Sequence, residues 1–272
     1  MASDDGWWHD IVHRKLRVPY QLSVRYKRMH RPFATTYVLI HGLADTGRLW
    51  KPLLDQLPEE SNYLVVDLLG HGQSKHPLDE QVYSASAQAR HVLATCLRSG
   101  LTGPVVLIGH SFGSLVAVEF SHAYRGIVQQ AVLVSPPIYR DETSDRRAWL
   151  QQDKLLRELY RQALKKPGAV VAGYDISSKL GTLGFSQTEL TKRNFAGFEG
   201  TLRAGIISQS AGRHLRRTII PTTIIYGMFD PFLVTRNLVT LAKVNPQIKL
   251  KALPTAHSVR TRTFRAVLTA IK

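Results

Sequence analysis

Short apolar runs alternate with helix-length segments along most of this 272-residue chain. The runs are rich in β-branched residues and recur at 36–40, around 65, and at 104–108, 131–135, 222–227 and 248–253. Runs of this length and composition are typical of buried strands. The alternation predicts an α/β fold, in which a mostly parallel central sheet is covered by helices on both faces.

Helical periodicity is clearest in five segments of the alternating region. These are Gly47–Leu57, Ser84–Leu97, Phe112–Tyr124, Leu233–Val244 and Ser258–Ile271. Trp50 recurs with three leucines at helical spacing, so we expect its ring in the core rather than against a substrate. Val18–Arg25 alternates only partly and predicts an edge strand that precedes the parallel core.

The strand–helix alternation breaks between residues 138 and 213. A helical pattern runs from about Ser144 to Lys165, and glycines interrupt the rest of the segment. We therefore expect a core domain built from residues 1–137 and 214–272, with an insertion at 138–213.

A G-x-S-x-G pentapeptide occupies residues 109–113, directly after one apolar run and before one helical segment. A sharp strand-to-helix turn is the context in which this motif exposes a nucleophilic serine at the carboxyl edge of a sheet. Glycines on either side of the serine leave room for the turn, because they carry no Cβ. The motif predicts that Ser111 is a nucleophile.

A serine nucleophile needs a base and an acid that orients the base, in the chain order serine, acid, histidine. Asp230 follows the run at 222–227, and His257 follows the run at 248–253, so both are expected on the same edge as Ser111. Asp230 has an alternative role as a helix cap, and Asp141 is the alternative acid. The alternative to a catalytic role for His257 is that it is a solvated loop histidine.

An acyl-transfer site also needs donors for the oxyanion of a tetrahedral intermediate. We expect one donor to be the backbone N–H of Phe112, directly after the nucleophile. The other is expected from the loop after the run at 36–40, where Leu43 N–H is preferred and its neighbours Gly42 and Ala44 stay open.

The pentapeptide, the His41-Gly42 pair and the segment from Asp67 to Ser74 together resemble the α/β-hydrolase family. The resemblance spans nearly the whole chain, although Ser114 and Ala256 stand where many relatives have glycine. It implies a serine hydrolase that uses neither cofactor nor metal, with Asp67 in a structural role. Dehalogenase and epoxide hydrolase chemistry are not expected, because those relatives attack through aspartate.

The family inserts a lid over its active site at the position of the 138–213 segment. The resemblance therefore implies that aromatic and large apolar side chains of this segment line an acyl pocket. The candidates are Tyr139, Trp149, Leu183, Phe185, Phe195 and Phe198. Their alternative role is to form a small core within the lid itself.

A formal net charge of +16 distinguishes the composition of this chain. Residues 11–31 contain seven Lys or Arg and no acid, and residues 213–272 contain eleven with Asp230 as the one acid. Such a surplus favours weak electrostatic association with anionic surfaces. No nucleic-acid-binding motif accompanies the charge, so specific nucleic-acid recognition is not expected.

Cysteine usage and the lack of hydrophobic targeting signals indicate the cellular compartment of the protein. Cys96 is the single cysteine, the first residues are acidic, and no apolar run approaches ~20 residues. These features predict a cytoplasmic protein without an intrachain disulfide.

The function predicted from these residues is hydrolysis of a carboxylic ester, or of a related acyl bond, in a small molecule through an acyl-enzyme. C–C bond hydrolysis, thioester hydrolysis and perhydrolysis use the same triad and stay open. A ligand receptor on the same fold and a basic module that binds anionic polymers are the non-enzymatic alternatives.

Overall fold

A seven-stranded sheet forms the centre of the computed structural model, which describes residues 10–139, 151–165 and 195–272. In chain order, the strands are β1 (Ser23–Arg28), β2 (Thr36–Ile40), β3 (Asn62–Asp67), β4 (Val105–His110), β5 (Val128–Val134), β6 (Thr222–Gly227) and β7 (Ile248–Leu253). Their spatial order is β1-β3-β2-β4-β5-β6-β7. Only β1 pairs antiparallel among these seven, which confirms the prediction of a mostly parallel sheet.

Helices cover both faces of the sheet. They are α1 (Lys51–Leu54), α2 (Ala85–Arg98), α3 (Phe112–Ala123), α4 (Gln151–Lys165), α5 (Phe195–Gly200), α6 (Ala211–Arg216), α7 (Thr235–Val244) and α8 (Thr261–Ala270). Shorter 3-10 turns lie at Gly47–Trp50, Glu80–Tyr83 and Arg125–Ile127, and π-helical turns at Asp10–Lys15 and Thr201–Ile207.

Two predicted elements differ from those observed. The helix predicted at Gly47–Leu57 is a 3-10 turn followed by the single turn of α1. The edge strand predicted at Val18–Arg25 begins only at Ser23 and extends to Arg28. Its start is displaced because the backbone N–H groups of Tyr20 and Leu22 donate to side chains of α2 instead of to a strand.

Alternate residues of the central strands enter two separate hydrophobic cores, one on each face of the sheet. Val38 and Ile40 pack in one core, whereas Leu39, which lies between them, packs in the other. Trp50 is fully buried in the second core, and its ring centroid is 6.5 Å from that of Phe264. The predicted core position of Trp50 is confirmed.

An insertion separates β5 from β6, as the sequence predicts. Its described parts include helix α4, whose Leu156 and Leu164 are buried in the first core. The candidates Asp141, Trp149, Leu183 and Phe185 lie outside the described residues. No helix within 10–139, 151–165 and 195–272 has both the length and the apolar character needed to span a membrane.

Candidate active site

Ser111 occupies the sharp turn between β4 and α3. Its backbone has φ 50° and ψ −119°, a conformation that costs a non-glycine residue about 1–3 kcal/mol. The flanking glycines permit this turn, because a Cβ on Gly113 would lie 2.4 Å from the carbonyl oxygens of Ile40 and His41. A Cβ on Gly109 would equally lie 2.4 Å from the carbonyl oxygen of Gly113. The strand, turn and helix expected around the pentapeptide are therefore all present.

Ser114 braces the same turn from inside the helix. Its buried hydroxyl lies 2.8 Å from the carbonyl oxygen of Gly109 and 3.1 Å from that of Val134. The hydroxyl therefore links the first turn of α3 to the ends of β4 and β5. The sequence indicated only that Ser114 replaces a glycine common in relatives, and this bracing role was missed.

The structure brings the three predicted triad residues together although they are far apart in the chain. His257 Nε2 lies 3.0 Å from Ser111 Oγ, and His257 Nδ1 lies 2.7 Å from Asp230 Oδ2. All three residues are buried, so water screens these contacts only weakly. The arrangement is that of a nucleophile, a base and an acid that orients the base.

The Asp230 carboxylate, in the loop after β6, has a hydrogen-bond partner at each of its oxygens. Oδ2 faces His257, and Oδ1 accepts a hydrogen bond from the backbone N–H of Phe232 at 3.0 Å. The Phe232 ring also packs edge-on against the His257 ring, with centroids 5.0 Å apart. Gly227 lets β6 lie close to the His257 loop, since a Cβ there would be 2.4 Å from the carbonyl oxygen of Thr255.

His110, inside the pentapeptide, fixes the loop that carries His257. Its Nε2 lies 3.0 Å from the carbonyl oxygen of His257, so this nitrogen carries the proton and donates. Burial lowers the pKa of His110 to about 3 and, with the neighbouring His41 ring, that of His71 to about 3 as well. Both rings are neutral at pH 7. The contact of His110 therefore ties the pentapeptide turn to the loop that carries His257.

The His41-Gly42 pair lies directly against Ser111. A Cβ on Gly42 would be 3.0 Å from Ser111 Cβ. His41 Nε2 accepts from the backbone N–H of Leu68 at 2.9 Å, which leaves Nδ1 to donate to the Gly42 carbonyl oxygen at 2.7 Å. In a trans peptide the next N–H points away from that carbonyl, so His41 fixes the direction of Leu43 N–H.

Asp67 makes no contact with the triad and instead holds loops around the end of β3. Its carboxylate accepts from the Arg25 guanidinium and from the backbone N–H groups of Gly47 and Gln73, at 2.8 and 3.0 Å respectively. Burial would raise the pKa of Asp67, but the nearby His41 ring and these hydrogen bonds hold it below its ordinary value. These contacts match the expected structural role.

Three of the predicted pocket residues are described, and all pack against the first core. Tyr139 and Phe198 are buried, and Phe195 is partly buried with its ring centroid 5.6 Å from that of Phe198. The contact between these two phenylalanines is consistent with the alternative role in a small core of the insertion. Contact of any of the three with an acyl group stays a prediction.

Residues 37–259 match the model of the alpha/beta hydrolase fold family. This match covers most of the chain, and the mostly parallel sheet and the turn at Ser111 agree with it. The protein therefore belongs to the alpha/beta hydrolase fold family.

Two proteins of Mycobacterium tuberculosis are similar to parts of this chain. An uncharacterized protein of Mycobacterium tuberculosis is 28% identical over 217 residues, which cover 74% of this chain and 63% of the relative. Lipase LipV of the same organism is 38% identical over 102 residues, or 38% of this chain and 37% of the lipase. The chain thus spans less than two thirds of the length of either relative.

An esterase from Thermogutta terrifontis has a similar structure, with a TM-score of 0.68 and 20% identity. The similarity covers 93% of this chain and 98% of the esterase. At this level of identity the likeness establishes the shared fold.

Proposed function

We propose that this protein is a serine hydrolase that cleaves a carboxylic ester through an acyl-enzyme. The observation that carries the proposal is the continuous hydrogen-bonded path from Ser111 Oγ through His257 to Asp230. The strained turn at Ser111 supports it, because such strain is concentrated at functional sites.

In the proposed mechanism His257 first acts as a base. Ser111 Oγ attacks the carbonyl carbon of the ester while its proton passes to His257 Nε2. Asp230 holds the imidazole with Nδ1 protonated and stabilises the imidazolium that forms. His257 then gives the proton to the leaving alcohol, which departs as the acyl-enzyme forms. A water molecule attacks the acyl-enzyme by the same steps and releases the acid.

The proposed oxyanion donors are the backbone N–H groups of Phe112 and Leu43. Phe112 is the first residue of α3, where a backbone N–H has no partner within its own helix. Leu43 N–H has its direction fixed by the His41 contact to the preceding carbonyl. An oxyanion donor of this kind contributes about 10²–10³-fold to turnover.

Names of similar proteins favour an ester among the acyl substrates. The similar proteins include a lipase and several esterases, although the structural similarities are below 25% identity. We therefore propose a small ester as the substrate, without a cofactor.

The surplus of Lys and Arg supports a further proposal that the protein associates weakly with anionic surfaces.

Hydrolysis of nitrophenyl esters from acetate to long acyl chains tests the proposal, with Ser111→Ala measured in parallel. The mutant should lose turnover and keep its thermal midpoint, since a single hydroxyl is removed. Ser121→Ala is the matched control. Ser121 lies on the same helix, and its buried hydroxyl has no hydrogen-bond partner among the described residues. Its loss should leave turnover unchanged.

A fluorophosphonate probe separates the remaining alternatives. Labelling of Ser111 without ester turnover would favour C–C or thioester hydrolysis, perhydrolysis, or a ligand receptor that retains an activated serine. Failure of both labelling and turnover in folded wild-type protein would refute a serine hydrolase. Equal turnover in wild type and Ser111→Ala would refute the assignment of the nucleophile.

A further inference from the structure

One residue of the loop after β6, Phe232, contacts both Asp230 and His257. Phe232 donates its N–H to the carboxylate and packs its ring on His257. A rotation of the Phe232 backbone would therefore disturb both the acid and the base. The groups that hold Phe232 in place determine whether the acid remains aligned with His257.

The carbonyl oxygen of Phe232 is held by a chain of two tyrosine hydroxyls. Tyr139, which follows β5, lies with its hydroxyl 3.0 Å from that oxygen, and the hydroxyl of Tyr160 on helix α4 lies 3.1 Å from Tyr139. A carbonyl oxygen only accepts, so the Tyr139 hydroxyl donates its one proton to the Phe232 carbonyl. The Tyr160 hydroxyl must then donate to the Tyr139 oxygen. A hydroxyl that both accepts and donates is a stronger donor than an isolated one.

Burial makes both tyrosines permanent donors at neutral pH. Tyr139 is 2% exposed, and burial raises its pKa well above the ordinary value. Burial also raises the pKa of Tyr160 to about 12. Neither hydroxyl ionises near neutral pH, so the chain of donors to Phe232 is intact there.

Two further contacts join helix α4 to this loop and to helix α7, which follows it. Gln152 Nε2 lies 3.3 Å from the carbonyl oxygen of Leu233, the residue after Phe232. Asp153 Oδ1 accepts from Asn237 Nδ2 at 2.8 Å, in the first turn of α7. Helix α4 is therefore attached at three points to residues 232–237, and the tyrosine chain is the one that ends nearest Asp230 in the chain.

We propose that Tyr139 and Tyr160 are positioning residues for Asp230. Through these two tyrosines, the inserted helix α4 keeps the Asp230 carboxylate aligned with His257. The inference rests on the proposed function, because it assigns the tyrosines to the same triad. Neither tyrosine touches the nucleophile, so both act only through Phe232. Seating of helix α4 and alignment of the triad are thereby linked.

Kinetics of Tyr160→Phe and Tyr139→Phe test this inference, with enzyme concentration fixed by fluorophosphonate titration. Loss of one hydrogen bond should lower kcat of Tyr160→Phe about tenfold, and loss of the last donor should lower that of Tyr139→Phe about 10–100-fold. KM should stay unchanged in both. The double variant should be no worse than Tyr139→Phe alone, because Tyr160 acts through Tyr139.

Tyr83→Phe is the matched control, because Tyr83 is another buried tyrosine whose hydroxyl donates to a backbone carbonyl, that of Pro77. Its kcat should equal that of the wild type. Unchanged kcat in Tyr139→Phe and Tyr160→Phe, in an enzyme that hydrolyses esters, would overturn the inference and leave the proposed function standing. Additive losses in the double variant would also overturn it.

Proton NMR of the His257 Nδ1 proton tests the inference even if no ester is turned over. The resonance is identified as the low-field line that disappears in His257→Gln. In Tyr160→Phe this line should move to higher field, since the hydrogen bond to Asp230 is less well aligned, while in Tyr83→Phe it should not move. An unmoved line in both tyrosine-chain variants would overturn the inference, whatever the activity of the wild type.

Discussion

Asp67 and Asp230 are both buried aspartates, but their partners differ in a way that separates stability from turnover. The Asp67 side chain is fully buried against Arg25, whose side chain is 10% exposed, and it also receives two backbone N–H groups. Asp230 instead faces His257. We therefore expect Asp67→Asn to damage stability and Asp230→Asn to damage catalysis.

The cost of Asp67→Asn follows from what the amide leaves unpaired. The Arg25 cation loses its counter-charge and faces the amide N–H of the new side chain. Removal of one partner from a buried ion pair costs about 3–5 kcal/mol. For a domain of this size each 1 kcal/mol shifts the thermal midpoint by about 2–4 °C. The expected fall in the midpoint is therefore about 6–20 °C.

Asp230→Asn should show the opposite pattern. An amide at this position favours the wrong tautomer of His257, and loss of the acid in such a triad lowers kcat about 10⁴-fold. Its midpoint should fall by less than that of Asp67→Asn, because the shape of the side chain is kept. The assay is thermal unfolding of both variants, followed by ester turnover at a temperature where each is folded.

Two results would refute this reasoning. Loss of turnover in folded Asp67→Asn, at an unchanged midpoint, would make Asp67 the functional acid. Full activity in Asp230→Asn would remove Asp230 from the triad and return attention to Asp141.

Acid should destabilise the fold, because burial lowers the pKa of His71 and His110 to about 3 and that of His91 to about 4. The unfolded chain binds these protons at an ordinary pKa of about 6.5, so stability is complete above that pH and falls below it, by about 2 kcal/mol per histidine at pH 5. Urea unfolding at pH 7.5 and 5 measures the loss, which should be smaller in His91→Gln; equal losses in the variant would contradict the cause. Gly227→Ala should lower kcat at temperatures where the variant is folded. Its Cβ would press on the carbonyl oxygens of Thr255 and Ala256, 2.4 and 2.5 Å away, and displace the His257 loop. Unchanged turnover in folded Gly227→Ala would show that the loop tolerates the shift.

The proximity of Ser111, Asp230 and His257 was predictable from sequence because parallel strands end at one edge of a sheet. Ser111, Asp230 and His257 each follow an apolar run, so strand topology brings them together without any knowledge of side-chain packing. Their order along the chain then predicted which residue is the acid and which the base. Local pattern was sufficient wherever the sheet itself determines the position.

Contacts between distant side chains were not predictable in this way. Tyr139 and Phe232 are 93 positions apart, and nothing in either local pattern indicates that a hydroxyl meets a carbonyl. The late start of β1 has the same origin, since side chains of α2 occupy the N–H groups of Tyr20 and Leu22. Periodicity identifies which face of an element is buried, but not which polar groups meet there.

Burial of helix α3 outweighs the strain at Ser111. The strained backbone costs about 1–3 kcal/mol. Phe112, Leu115, Val116 and Phe120 of α3 are all fully buried, and each such side chain contributes about 1.5–3 kcal/mol. Burial therefore exceeds the strain several-fold, so relaxation of the turn would require α3 to leave both the sheet and α2. The position of Ser111 is a property of the whole core and not of the pentapeptide alone.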